Sequence, residues 1–204
     1  MAKDRSIFLS IDIEADGPVP GLNSMLSFGV AAFTLTSKDP RKPIDTFEAN
    51  LEVLSDVAYR EWPLNCASEN TMKWWATQPE AWEACRQNQR DPWEVMPEFV
   101  DWCRNLPGKL VVVGYPVTFD FMFLHWYTIV FGGLRDGERC PFGFSGLDIK
   151  TLAAEKMDVP FRMATKRRMP KRWFRGAPPH THEALDDAIG QGVLFVNMML
   201  ENGP

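Results

Sequence analysis

The sequence has no apolar run long enough to span a membrane, so no membrane partner is expected. Lys3, Asp4 and Arg5 make its start polar, and the apolar segment that follows, 7–13, contains Asp12. That segment is too short and too polar for a secretory signal, and a cytoplasmic location is the expectation. Cysteine is sparse: Cys66, Cys85, Cys103 and Cys140 are widely spaced, and none belongs to a CxxC pair. This argues against a structural zinc site and for free, mostly buried thiols. Internal repeats and low-complexity segments are absent as well.

What is present is an ordinary globular composition, 45% hydrophobic and 24% charged, over 204 residues. One domain covering 1–204 is expected for that length. The net charge is −5, but it is unevenly spread. Arg162, Lys166, Arg167, Arg168, Lys171, Arg172 and Arg175 stand together with no acidic residue among them, and removing those seven leaves −12 for the rest. A basic loop or insertion at about 160–180 is expected. Such a block is either a solvated charge run or a segment that follows a phosphate backbone.

Along the chain, residues 6–13 alternate and are β-rich, which predicts a strand. Gly17, Pro18, Pro20 and Gly21 then mark a loop. Strands are predicted over 25–35 and 46–54, joined by a turn at 38–43, so the first three strands should form an antiparallel meander. The texture then turns helical. Ser68 or Asn70 caps a helix through Trp74 and Trp75, Pro79 opens the next, and Pro92 opens a longer one over 93–106. A buried strand over 109–114 precedes an apolar helix over 119–130. A shorter helix at 148–157 and a last one over about 182–200 complete the order, which is that of an α/β or α+β domain.

Three acidic features recur in that framework. Asp12 and Glu14 are two apart on a strand, so both carboxylates face one side. Two adjacent anions repel, and the arrangement is costly without a cation, for which hard oxygen ligands suit Mg²⁺ or Mn²⁺. Asp120 follows the buried strand and opens the apolar helix, where it could equally be a helix-terminal charge. His182 stands five residues before Asp187 at the last helix, with His180 competing for any role from two residues away. Each feature alone has an ordinary structural explanation.

Taken in order, DxE on an early strand, Phe119-Asp120 at a strand-to-helix junction and HxxxxD late in the chain resemble the DEDDh family of 3′→5′ exonucleases. The resemblance runs from residue 7 to about 195, and the stretch Thr71-Met72-Lys73-Trp74-Trp75 also looks like small phage and bacterial members. Two positions depart from the pattern: Pro116 stands where an asparagine is usual, and Ala15 where a threonine often follows the first motif. The resemblance implies a ribonuclease H-like layered fold, with a central mixed sheet of an antiparallel meander plus parallel strands flanked by helices. It implies a metal-dependent enzyme that removes nucleoside 5′-monophosphates from the 3′ end of single-stranded RNA or DNA. Asp12, Glu14 and Asp187 would hold one divalent cation, Asp12 would bridge to a second, Asp120 would support that second ion, and His182 would be the general base. Two such cations, Mg²⁺ or Mn²⁺, can serve the attacking and the leaving oxygen of a phosphodiester. Several members are homodimers, which makes a homodimer one expectation here.

Substrate contacts are expected from several places. The loop 15–24 could present backbone N–H groups to the terminal nucleotide, and Met25 and Leu26 could wedge against a base. Six of the eight tryptophans, from Trp62 to Trp102, fall on the helical stretch, and Trp75 among them is a candidate stacking platform. Trp173, set among Arg167, Arg168, Lys171 and Arg172, suits a single strand because aromatics interleaved with cations both stack on bases and neutralise phosphates. His125, inside an apolar helix, reads as structural. The alternatives are a catalytically silent nucleic-acid-binding domain of the same fold and a metal-dependent phosphoesterase for small nucleotides.

Overall fold

The alternation at the start of the chain builds the central strand. β1 (Ser6–Ala15) sends Ile7, Leu9, Ile11 and Ile13 to one face of the sheet and Phe8, Ser10, Asp12 and Glu14 to the other. The computed structural model describes residues 6–54 and 67–201. The sheet is completed by β2 (Met25–Phe33), β3 (Asp45–Asn50), β4 (Lys109–Gly114) and β5 (Gly146–Asp148), in the order β3-β2-β1-β4-β5. β1, β2 and β3 form the antiparallel meander, while β4 is parallel to β1 and β5 parallel to β4. The mixed sheet is the one expected, with two differences. β3 ends at Asn50, beyond which Leu51 makes only a bridge to Arg90, and β5 is too short to have shown in the sequence pattern.

Helices cover both faces. α1 (Glu69–Trp75) and α2 (Pro79–Ala84) begin where Ser68 and Pro79 predict. α3 (Pro92–Asn105) starts at Asp91, whose carboxylate accepts from Trp93 N at 2.8 Å. With α4 (Val117–Phe131) it packs Val95, Phe99, Phe123, Leu124 and Phe131 against the isoleucine face of β1. Burying each such side chain contributes roughly 1.5–3 kcal/mol. On the other face lie α5 (Ile149–Lys156) and α6 (Ala184–Leu200), whose Ile149, Ala153, Leu194 and Phe195 meet Phe8, Ala31 and Phe33. Two glycines let α6 approach closely. A Cβ on Gly192 would stand 2.1 Å from the Phe33 ring, and one on Gly29 would stand 2.3 Å from Leu185 N.

The basic segment is the connection between α5 and α6 and carries no α-helix or strand. It contains two 3₁₀ turns, Phe161–Met163 and Lys171–Phe174, and it drops Ala164, Met169 and Trp173 into the core beneath α6. Cys85, Cys103 and Cys140 are free and buried as expected, whereas Cys66 and Trp62 lie outside the described residues. Among the described residues no helix is long and apolar enough to cross a membrane.

Candidate active site

The crevice exists because β1 outruns its neighbour. Pairing between β1 and β4 stops at Ser10↔Val113, so the second half of β1 has β2 on one side and an open edge on the other. Ligands commonly bind beyond the carboxyl ends of parallel strands at such a break in pairing. Asp12 and Glu14 occupy this overhang on the face covered by α6. Asp120, in the first turn of α4, reaches the same edge and accepts the Ile13 N–H at 3.4 Å.

Asp187 arrives from α6. Gly29 is the strand partner of Asp12, and its missing side chain lets the first turn of α6 lie on the sheet at that level. One carboxylate oxygen each of Asp12, Glu14 and Asp187 then lie within 4.8 Å of one another. Asp120 stands beside this trio, and its charge is felt by both Asp12 and Glu14. Burial pushes the Glu14 carboxyl up to about 8, and the charges of Asp187 and Asp120 add to it. Asp12 is raised by the same desolvation and then by Asp120, Glu14 and Asp187, with Lys166 opposing. Desolvation carries Asp120 up to about 7 against the opposing Ile13 N–H and Lys166. A divalent cation among these oxygens would remove the repulsion, so the hard, buried donor set fits such an ion.

The third motif straddles the start of a helix: Asp187 is in the first turn of α6, and His182 is in the turn before it. α6 begins at Ala184, and His182 precedes it in the left-handed region at φ 61°. Asp187 fastens that turn: it accepts Thr181 N at 3.3 Å and His182 N at 3.1 Å, and lies 2.6 Å from His180 Nδ1. The His182 ring is half-buried between His180, 4.2 Å away, and Trp74, 5.4 Å away. Burial and the neighbouring His180 lower its pKa, so the ring is neutral at neutral pH and can accept a proton. A groove of about 500 Å³ opens beside His182 and is lined also by Ser27, Asn50, Asn88 and Arg90. Asp12, Glu14, Asp120 and Asp187 are not among its lining residues, so it adjoins the carboxylate cluster only through His182.

Several expected substrate contacts are excluded by burial. Met25 is fully buried with its N–H donated to the Tyr127 hydroxyl, and Leu26 is equally buried, so neither can wedge a base. Trp75 is 2% exposed and its indole N–H donates to Ala15 O, which leaves no face for stacking. Its neighbour Trp74 is 40% exposed at the site. Trp173 is 2% exposed with its indole N–H held by Glu201, and Arg172 pairs with that same carboxylate. Arg167, Arg168 and Lys171 remain exposed. In the loop after β1, the N–H groups of Asp16, Val19, Asn23 and Ser24 are closed within the loop and are not available to a nucleotide. His125 stacks on Phe121, in keeping with a structural role.

Sequence reasoning missed two residues. Gln191, 3% exposed on α6, donates from Nε2 to Asp12 Oδ1 at 2.5 Å and fixes that carboxylate. It stands one helical turn after Asp187, a spacing visible in the sequence. Asp148 accepts from Val117 N at 3.0 Å and Thr151 N at 2.6 Å, tying the start of α4 behind Pro116 to that of α5.

The family described as 3′-5′ exoribonuclease Rv2179c-like domain matches residues 8–199, and the chain belongs to it. It is 29% identical over 201 residues to the 3′-5′ DNA exonuclease Cap18 of Escherichia coli, covering 96% of this chain and 92% of that one. Among solved structures it is similar to the nuclease domain of 3′hExo, a DEDDh family member bound to rAMP. That likeness has a TM-score of 0.63 at 14% identity and covers 97% and 93% of the two chains. The Mg²⁺- and Mn²⁺-bound form of S. pombe Pop2p gives 0.62 at 13% identity, over 93% and 81%. The fold is thus ribonuclease H-like, and the protein is a 3′→5′ exonuclease acting on nucleic acid.

Proposed function

We propose that the protein removes nucleoside 5′-monophosphates one at a time from the 3′ end of single-stranded nucleic acid, using two divalent cations, Mg²⁺ or Mn²⁺. The observation that carries this reading is the convergence of Asp12, Glu14, Asp120 and Asp187 with a neutral imidazole at the open edge of β1. Asp12, Glu14 and Asp187 would hold one cation, with Asp12 shared with a second that Asp120 supports. When bound, the cations supply charge stabilisation for the phosphate oxygens and lower the pKa of water.

The chain itself does the rest. His182 takes the proton of the attacking water, which its lowered pKa permits at neutral pH. Trp74 holds that ring edge-on and offers its exposed surface to the terminal base. Gln191 keeps Asp12 from rotating. Arg167, Arg168 and Lys171 follow the phosphates upstream of the cleaved bond. The charge of Lys166 reaches Asp12, Asp120 and His182, which suits a cation that draws the reacting phosphate in.

The test is incubation with RNA and DNA strands labelled at either end, with Mg²⁺, Mn²⁺ or EDTA. Stepwise shortening from the 3′ end, mononucleotide 5′-phosphates as product and loss of activity in EDTA are expected. Internal cleavage, 3′-phosphate products or full activity in EDTA would overturn the reading.

A further inference from the structure

We propose that His180, His182 and Asp187 form a second, softer metal site that takes Zn²⁺ and, when filled, switches hydrolysis off. The switching rests on the roles given above to His182 and Asp187; the binding stands on geometry alone. One nitrogen of each imidazole and one oxygen of Asp187 lie within 4.8 Å of one another. His180 Nδ1 is 2.6 Å from Asp187 Oδ1, and the two rings are 4.2 Å apart. The left-handed turn at His182 brings the imidazoles of residues 180 and 182 to the same carboxylate, and the Thr181 and His182 N–H groups lock the turn onto it.

The two donor sets differ in kind. Asp12, Glu14 and Asp187 offer oxygen alone, which suits Mg²⁺ or Mn²⁺. Two imidazoles and one carboxylate are a nitrogen-rich set of three, the number that holds Zn²⁺ with a fourth position left for water. Ligands at about 2.0–2.1 Å on a tetrahedral ion stand about 3.3 Å apart, so the His180 ring must withdraw by under about 1 Å from its hydrogen-bonded position. It can do so because His180 is exposed, which also gives the ion its way in.

Asp187 belongs to both sets, so the consequence follows from chemistry. A lone pair of His182 committed to Zn²⁺ cannot accept a proton from water. An Asp187 oxygen turned toward the imidazoles is lost to the oxygen-only set. Filling the softer site therefore removes the base and loosens the harder site in one step.

The experiment uses the full chain stripped of metal, titrated calorimetrically with Zn²⁺, with Co²⁺ as a spectroscopic substitute whose visible bands report nitrogen ligation. His180→Ala, His180→Asn and Glu14→Gln are compared, each checked for folding by thermal melting; His180→Asn keeps a donor for Asp187 without the imidazole. One Zn²⁺ is expected to bind wild type and Glu14→Gln alike, and to bind both His180 variants at least about tenfold more weakly. Zn²⁺ should inhibit the Mg²⁺-supported reaction, and the concentration needed should rise by the same factor in both His180 variants, each measured against its own uninhibited rate. Unchanged Zn²⁺ affinity in the His180 variants, or its loss in Glu14→Gln, would overturn the site. Binding through His180 without inhibition would overturn the switch. A protein inactive with either Mg²⁺ or Mn²⁺ would count against the exonuclease mechanism, and the calorimetry would still decide the site.

Discussion

Asp12, Glu14, Asp120 and Asp187 come from three elements spread over most of the chain and meet at one edge of β1. The seven cations between Arg162 and Arg175 are neighbours in sequence, but they diverge in space. Arg172 pairs with Glu201, Lys166 lies over the Tyr115 ring, Arg168 turns to the Met163 sulfur, and Trp173 among them is core. Like charges that converge in a buried crevice cost stability and call for a ligand. Like charges in a run cost little, because each side chain finds its own solvent or partner. The first pattern therefore speaks to function more directly than the second.

The contrast is tested most severely at Asp12. Asp12→Asn, which keeps the shape that Gln191 holds, is expected to abolish hydrolysis while raising the melting temperature of the metal-free protein. Turnover near wild type in that variant would remove the carboxylate cluster from the mechanism. His182→Ala comes next, with the rate at saturating substrate falling roughly 10²–10⁴-fold and divalent-metal affinity, followed by calorimetry, much less affected.

In the basic segment the largest effect should be on stability. Trp173→Ala is expected to cost roughly 3–5 kcal/mol in denaturant unfolding, as for other large core truncations, and to leave the affinity of the folded fraction for a single strand unchanged. Stacking on a base would give the opposite result, a binding loss of roughly 1–3 kcal/mol with normal stability. Replacing Arg167, Arg168 and Lys171 with Gln should weaken binding and flatten the salt dependence by about 0.7 in slope for each phosphate no longer neutralised, with the kinetic effect falling on KM. Overlaying salt curves would show that these cations are merely solvated.

The gentlest perturbation is pH. The Glu14 carboxyl stands at about 8 in the fold against an ordinary 4.5, and those of Asp12 and Asp120 are raised too. The folded protein therefore binds more protons than the unfolded chain in this range. Their contribution is full below about 4.5 and is lost as pH rises through about 8. The metal-free melting temperature should accordingly fall across that window, and Mg²⁺ or Mn²⁺ should flatten the fall. A metal-free profile that rises with pH over the same window would contradict the burial of these carboxylates.

The antiparallel meander of β1 to β3 and the helix starts at Ser68, Pro79 and Pro92 were legible because each rests on a local rule, whereas the five motif positions stood out only through their order along the chain. Strand alternation, a proline in the first turn and two-residue spacing on a strand all need only near neighbours. What was illegible depended on distant partners. Trp74 and Trp75 are chemically equal, and only Ala15 O, 60 residues away, decides which of them turns inward. Trp173 reads as a surface aromatic until Glu201 closes over its indole N–H. β5 has three residues, too few to carry an alternation, and it exists because Val112 to Gly114 offer it an edge.

The central claim is that Asp12, Glu14, Asp120 and Asp187 together hold the divalent cations that perform the hydrolysis. A crystal grown with Mn²⁺ and a nucleoside 5′-monophosphate, with the Mn²⁺ located by anomalous scattering, tests it directly. Two peaks sharing Asp12, one also touching Glu14 and Asp187 and the other on the Asp120 side, are the predicted result. Peaks elsewhere, or none among these four carboxylates while the nucleotide is bound, would contradict it.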